Sequence, residues 1–278
     1  MPNKLSVVIP CKDEEKNIAF CIESVLSIAD EIVVADSGST DKTMEIAKKY
    51  GCRIIEREYI NSANFKNWVI PQAKFEWIML LDSDERATPK LLEEVKSILS
   101  KEEPEYDAYY IFRRNFLFGK EVKRSWGKDK VIRLFKRDIS KYKEMRVHSE
   151  IIVNSGRVGF LKGKLLHYTY WNYAQIMEKY ERYTTWAAED LRDKGVKPGF
   201  INLTFTPAWR FFRHYILQRG FLDGRAGVIV SGLSMYYVFL KYAKLWKMTY
   251  GKEQPSPPKL TDMEKRKKEL KRSREKLS

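Results

Sequence analysis

Cysteine is scarce in this chain. Cys11, Cys21 and Cys52 are the only three. An odd number this small excludes a disulfide scaffold, and the spacing does not match a zinc site. Two phosphate-binding signatures are also missing. There is no GxxxxGK[ST], which excludes a P-loop, and no GxGxxG after the first apolar run, which argues against a dinucleotide site. Neither an internal repeat nor a nucleic-acid-binding motif is legible, so nucleic acid is not an expected partner. No secretory leader is apparent either, because the first four residues run straight into an apolar stretch; the expectation is a cytosolic chain. Aromatics, by contrast, make up 13% of the 278 residues and apolar residues 44%. That excludes global disorder and supports a sizeable core.

Acidic side chains are in the minority, 37 against 52 lysines and arginines, for a net charge of +15. The excess is uneven. Residues 196–251 hold eight basic side chains and only Asp223, and residues 252–278 hold ten basic and five acidic ones, leaving +3 for residues 1–195. Helix-stop residues cluster at Lys194-Gly195-Val196-Lys197-Pro198-Gly199. We therefore divide the chain into a domain over 1–195, a basic aromatic helical region over 196–251 and a charged tail over 252–278. Residues 226–240 carry no charge. As a helix that run is about 22 Å long, short of a ~30 Å hydrocarbon core, so an interfacial or re-entrant placement is expected. Lys241, Lys244 and Lys247 beside Trp246 suit a surface facing anionic headgroups at the inner face of the cytoplasmic membrane.

Along the first hundred residues, short apolar runs (5–9, 31–35, 52–55, 77–81) alternate with helical patterns (18–29, 42–50, 62–73, 89–100). Such alternation implies βαβ units and a mostly parallel, buried sheet. Shorter strands follow at 108–112, 131–136, 151–153, 157–161 and 164–168, then a helix over 172–192. Ligands of an open parallel sheet bind beyond the carboxyl ends of its strands. Three polar clusters fall there: Pro10 to Glu15, Asp36 to Asp41, and Asp82 to Glu85. Asp82 and Asp84, two carboxylates in one turn, suit a hard divalent ion, Mg²⁺ or Mn²⁺.

The segments Ser6-Val7-Val8-Ile9-Pro10-Cys11-Lys12-Asp13-Glu14-Glu15, Asp36-Ser37-Gly38-Ser39-Thr40-Asp41-Lys42-Thr43 and Leu80-Leu81-Asp82-Ser83-Asp84-Glu85 resemble the nucleotide-sugar signatures of inverting family-2 glycosyltransferases, which have the GT-A fold. Arg133-Leu134-Phe135, residues 147–150, Leu166-His167-Tyr168-Thr169-Tyr170 and Phe221-Leu222-Asp223-Gly224 are similar to the subgroup that extends the inner core of lipopolysaccharide, which includes β-1,4-glucosyltransferases. The resemblance covers roughly residues 4–250. It implies an α/β nucleotide-binding domain that moves a hexose, glucose from UDP-glucose, to a lipid-linked saccharide acceptor. It also implies that Pro10, Asp13, Glu14, Asp36, Ser37, Lys66, Asp82, Ser83 and Asp84 border the UDP-sugar, with Asp84, Asp82 and His167 as metal ligands.

Inverting transfer needs one general base for the acceptor hydroxyl. Glu150 is the first candidate and Asp129 the second. The subgroup more often reads Val-His-Glu where this chain has Val147-His148-Ser149-Glu150, so the base position lies open between His148 and Glu150. Trp126 and Arg133 are candidate acceptor contacts, by stacking on a pyranose face and by bonding hydroxyls or phosphates. Transfer to a polyprenyl phosphate, which needs no base, is the nearest alternative; a membrane-recruited, non-catalytic binding protein is a further one.

Overall fold

The computed structural model describes residues 2–127, 129–145, 149–252 and 260–275. Its first half is the expected alternation, with α1 ending earlier than the pattern predicts and one further short strand, β5: β1 (Leu5–Cys11), α1 (Ile18–Glu23), β2 (Glu31–Asp36), α2 (Thr43–Lys49), β3 (Arg53–Glu56), α3 (Ser62–Val69), β4 (Trp77–Leu80), β5 (Glu85–Ala87) and α4 (Pro89–Leu99). Local chemistry sets several of these boundaries. Asn61 caps α3 by accepting the Asn64 N–H, and Pro89 opens α4 in the first turn, where its missing N–H costs nothing. β1 alternates with period two. Val7 and Ile9 enter one core with α1, α2 and α4, while Val8 enters the opposite core with Phe65 of α3. Both faces of the sheet are therefore covered, which is why the run carries no solvent-facing polar alternation.

The second half adds β6 (Ala108–Leu117), β7 (Lys120–Val122), β8 (Lys130–Lys136), β9 (Ser140–Tyr142), β10 (Ile151–Val153), β11 (Val158–Tyr170) and α5 (Tyr173–Asp193). Among the described residues nine strands form one sheet in the order β3-β2-β1-β4-β8-β6-β11-β5, with β7 on β6, while β9 and β10 form a separate ribbon. β3, β2, β1 and β4 are mutually parallel. β8 then runs antiparallel between β4 and β6, and β11 lies parallel to β6. Where the sequence pattern predicts two strands at 157–161 and 164–168, the structure has the single strand β11, irregular in its pairing between Phe160 and Lys164. Gly163 does not break it. A Cβ there would lie 2.4 Å from Leu91 Cα, so the glycine admits α4 against the sheet.

The C-terminal part is helical: α6 (Phe200–Leu203), α7 (Phe205–Phe212), α8 (Arg225–Tyr250) and α9 (Leu260–Glu275). The uncharged run at 226–240 is only the N-terminal part of α8, whose 26 residues span about 39 Å. By length and composition this helix is sufficient to cross a membrane, contrary to the shorter estimate from the uncharged run alone. It also packs on the body. Ala226 and Val230 share a buried cluster with Leu117, Val122 and Ile176. The Asp223 carboxylate just before α8 accepts N–H bonds from Lys123, Arg124 and Ser125, and Lys244 pairs with Glu181 at 2.8 Å.

Candidate active site

The parallel strands β1, β2 and β4 all end on the same side of the sheet, and their loops meet there. The first two loops are laced together by backbone donors. Asp13, at the left-handed φ of 51°, accepts the Thr40 N–H at 2.7 Å and donates its own N–H to Ser39 Oγ. The Glu14 N–H bonds Thr43 Oγ1, and the Glu15 N–H bonds Asp41. Asp36 is buried and closes its own turn, accepting from Gly38 N, Ser39 N and Ser39 Oγ. Ser37 Oγ donates to the Cys11 carbonyl. Asp13 and Asp36 thus shape the rim through bonds within the protein. Burial, aided by Asp36 and other nearby carboxylates, pushes the Cys11 thiol up, so it stays protonated and is no nucleophile.

The third loop opens a chain of charged groups that crosses the sheet. Asp82 Oδ1 accepts from Lys66 of α3 at 2.7 Å, and its Oδ2 accepts from Arg133 of β8. Arg133, only 3% exposed, also reaches Glu85 at 2.7 Å. Glu85 is fully buried and takes a second guanidinium, Arg113 of β6, at 3.0 Å. Arg113 then holds Asp129 through a two-nitrogen fork, 2.9 Å for each bond. Burial alone would push the Asp82 carboxyl up, but Arg133 and Lys66 outweigh it and hold it well below the ordinary range. Burial likewise opposes ionisation of Asp129, and Arg113 reverses the balance, leaving it lowered. Both acids are therefore fixed anions at neutral pH.

Asn115 carries the chain onward. Its Nδ2 bonds Asp129 and its Oδ1 lies 2.6 Å from His167 Nδ1. An amide oxygen accepts only, so His167 Nδ1 is the donor of this bond, and Nε2 is the other ring nitrogen. That Nε2 faces Asp84 Oδ1 at 3.5 Å. Asp84 Oδ1 is buried and has no hydrogen-bond partner among the described residues. Burial raises the Asp84 carboxyl, but His167 and then Lys179 of α5 more than compensate, and it lies below its ordinary value. Glu14 behaves oppositely. Burial, reinforced by the Asp84 charge, lifts its pKa from 4.5 to about 7.

That shift has a stability consequence with a defined sign. An acid whose folded pKa is raised stabilises the fold fully below the unfolded value of about 4.5 and loses this as pH rises through about 7. Glu14→Gln keeps an acceptor for the Asn17 amide, which donates to Glu14 Oε2 at 2.8 Å, and removes the titration. The variant should melt with wild type at pH 4 and above it at pH 8, by roughly 5–10 °C for a penalty on the order of 2–3 kcal/mol. Equal melting temperatures at pH 8 would contradict the assignment.

A cavity of about 430 Å³ opens beside this network, lined by Lys66, Asp82, Asp129, Arg133, Glu150 and Tyr183 among others. The structure thus brings Lys66, Asp82, Asp129, Arg133 and Glu150 to one cavity, and sets Asp84, His167 and Glu14 together in a second cluster linked to it through Asn115. Asp36, Asp13, Pro10 and Trp126 do not line the cavity. Trp126 packs on the apolar cluster shared with α8. Arg133 lines the cavity with its guanidinium committed to Asp82 and Glu85. His148 lies outside the described residues. Sequence reasoning assigned no role to Glu85, Arg113, Asn115 or Lys179. The first three pair across strands and the last comes from a distant helix, and nothing in their local sequence signals it.

Among the described residues no group of three or more His, Cys, Asp or Glu stands ready to hold a metal ion. Asp84 and His167 offer two ligand atoms, an orphaned carboxylate oxygen and an imidazole nitrogen. Both Asp82 oxygens are engaged by cations, so a metal bound by Asp82 would have to displace Lys66 or Arg133.

The family described as Glycosyl transferase family 2 matches residues 6–162. The lipopolysaccharide core biosynthesis glycosyltransferase LpsC of Rhizobium meliloti is 30% identical, over 91% of this chain and 95% of that protein. An uncharacterized glycosyltransferase of Rickettsia typhi is 29% identical, over 87% and 86%. Among solved structures, S. aureus TarS 1–349 in complex with UDP-GlcNAc superposes with a TM-score of 0.47 at 16% identity, over 91% of this chain and 93% of that one.

Proposed function

The chain belongs to glycosyl transferase family 2 and is a glycosyltransferase, and from that premise we propose that it moves glucose from UDP-glucose, with inversion, to a lipid-linked saccharide. The observation that carries this reading is the single cavity that Lys66, Asp82 and Arg133 line together with Glu150 and Asp129. An inverting transfer needs a donor held on one side of a space and a base on the other. Glu150 takes the proton of the acceptor hydroxyl as its oxygen bonds sugar C1. The C1–O bond to the diphosphate breaks, and UDP leaves with the electron pair. Asp129 is a positioning residue here: Arg113 grips both its oxygens and lowers its basicity.

The leaving diphosphate needs positive charge. Lys179, whose ammonium is stabilised by Asp84 and Glu14 despite burial, supplies one such charge. Asp84 and His167 fit a divalent ion. Hard cations of the Mg²⁺ type use one or two carboxylates and complete their shell with water and phosphate oxygens, and a two-donor site suits that habit. When bound, the ion supplies Lewis-acid neutralisation of the diphosphate. A panel of nucleotide sugars with Mn²⁺ or Mg²⁺, read by UDP release, tests the donor assignment. Release from UDP-glucose above the other donors is expected, and no release from any UDP-sugar contradicts it.

We also propose that the enzyme works on an anionic membrane surface. α7 is inside out: Phe205, Trp209 and Phe212 are exposed, at 65%, 56% and 43%, while Pro207 is buried. Arg210 sits between Trp209 and Phe212, and Arg213 follows directly after the helix. Exposed aromatics with interleaved arginines match the apolar boundary and negative headgroups of a bilayer. Trp209→Ser with Phe212→Ser should weaken co-sedimentation with phosphatidylglycerol vesicles at least tenfold, given ~1.5–3 kcal/mol per buried aromatic. Unchanged binding would remove α7 from the interface.

A further inference from the structure

A second cavity, of about 710 Å³, shares with the first Arg113, which lines both. Lys90 of α4, Arg114 of β6, Lys123 and Arg124 after β7, and Lys162 and Lys164 of β11 line it, and Glu121 is the single acid in its wall. Glu121 is taken up by Arg114 through a two-bond fork of 2.8 and 2.9 Å. Lys90, Arg124, Lys162 and Lys164 have no ion-pair partner among the described residues. Concentrating like charge in a concave wall is unfavourable for the empty protein and favourable for a polyanion, because such clefts focus the field. The volume falls in the ~300–1,000 Å³ range of ligand sites.

The elements behind this wall are held firmly. The Asp223 carboxylate pins the backbone N–H groups of Lys123, Arg124 and Ser125. Glu94 accepts the N–H groups of Lys162 and Gly163 at 2.8 and 3.0 Å. The cationic side chains therefore project from fixed backbone.

We infer that this basic cavity binds phosphate groups carried by the acceptor, holding them there while the acceptor hydroxyl reaches Glu150 in the first cavity, with which it shares Arg113. This rests on the preceding reading of the first cavity as the transfer site. Arginine forks and lysine ammonium groups both suit phosphate oxygens. The phosphate is borne either by the saccharide itself or by a lipid headgroup.

The test uses the full chain and the triple variant Lys90→Gln, Lys162→Gln, Lys164→Gln, none of which lines the transfer cavity. Glucose 1,6-bisphosphate is titrated calorimetrically at low salt, and phosphatidylglycerol vesicles are titrated in a parallel arm. UDP release from UDP-glucose without acceptor is measured on the same samples. Wild type should bind saturably, and the triple variant on the order of tenfold or more weaker, with weakening by salt and unchanged UDP release. Binding of the sugar bisphosphate assigns the phosphate to the saccharide; loss confined to the vesicle arm assigns it to the headgroup. Equal affinity of the two proteins in both arms, or no saturable binding in either, overturns the proposal. UDP release in wild type, with water taking the sugar, from another UDP-sugar and not from UDP-glucose would instead sink the donor reading, and the binding arms would still report on this cavity.

Discussion

Glu150→Gln is expected to lower turnover with acceptor by about 10²–10⁴-fold, the range for a lost general base. The amide preserves size and hydrogen bonding but has no basic lone pair to take the acceptor proton. Donor binding should be nearly unchanged, because Glu150 makes none of the bonds that hold Lys66 and Asp82. Asp129→Asn provides the contrast. It breaks the Arg113 fork and so should cost stability as well as rate, whereas Glu150 is exposed and its substitution should leave the melting temperature alone. Full activity in Glu150→Gln would favour a phosphate acceptor, which is already a nucleophile, over a hydroxyl.

Arg133→Met is the other large effect, on stability first. The guanidinium sits between Asp82 and the fully buried Glu85. Breaking a buried pair from one side costs ~3–5 kcal/mol, because the remaining charge has lost its compensation. Lys66 and Arg113 still serve the two acids, so the lower end applies, about 3 kcal/mol, or roughly 6–12 °C in melting temperature. A shift below about 2 °C would mean that the network does not depend on Arg133. Arg133→Lys should recover only part of the loss, since one ammonium cannot reproduce the planar fork.

The physical reason for the strength of the sequence reading lies in period and position. Continuous apolar runs of parallel strands and the polar loops at their ends are local features, and the structure has all four runs as β1 to β4. Asp84 and His167, named from their motifs, face each other. The charged chain was not legible, because its links join β8 to the end of β4 and β6 to β5, and strand register is a non-local property. Asp36 illustrates a different limit. The segment Asp36-Ser37-Gly38-Ser39 also describes a turn in which an aspartate bonds its own backbone, and that is the geometry here. The length of α8 exceeds that of its uncharged run because the helix continues past Lys241 to Tyr250, where Lys244 folds onto Glu181.

The central claim is that the cluster around Asp84 and the adjoining cavity receive a metal ion and a uridine diphosphate together. Thermal unfolding of wild type and Asp84→Asn with UDP, with Mn²⁺, and with both measures it most directly. The account predicts a rise with both ligands well beyond either alone in wild type, about 2.7 kcal/mol of stabilisation at a hundredfold excess over Kd, and its loss in Asp84→Asn. No stabilisation of wild type by the pair, or an equal rise in the variant, would contradict it.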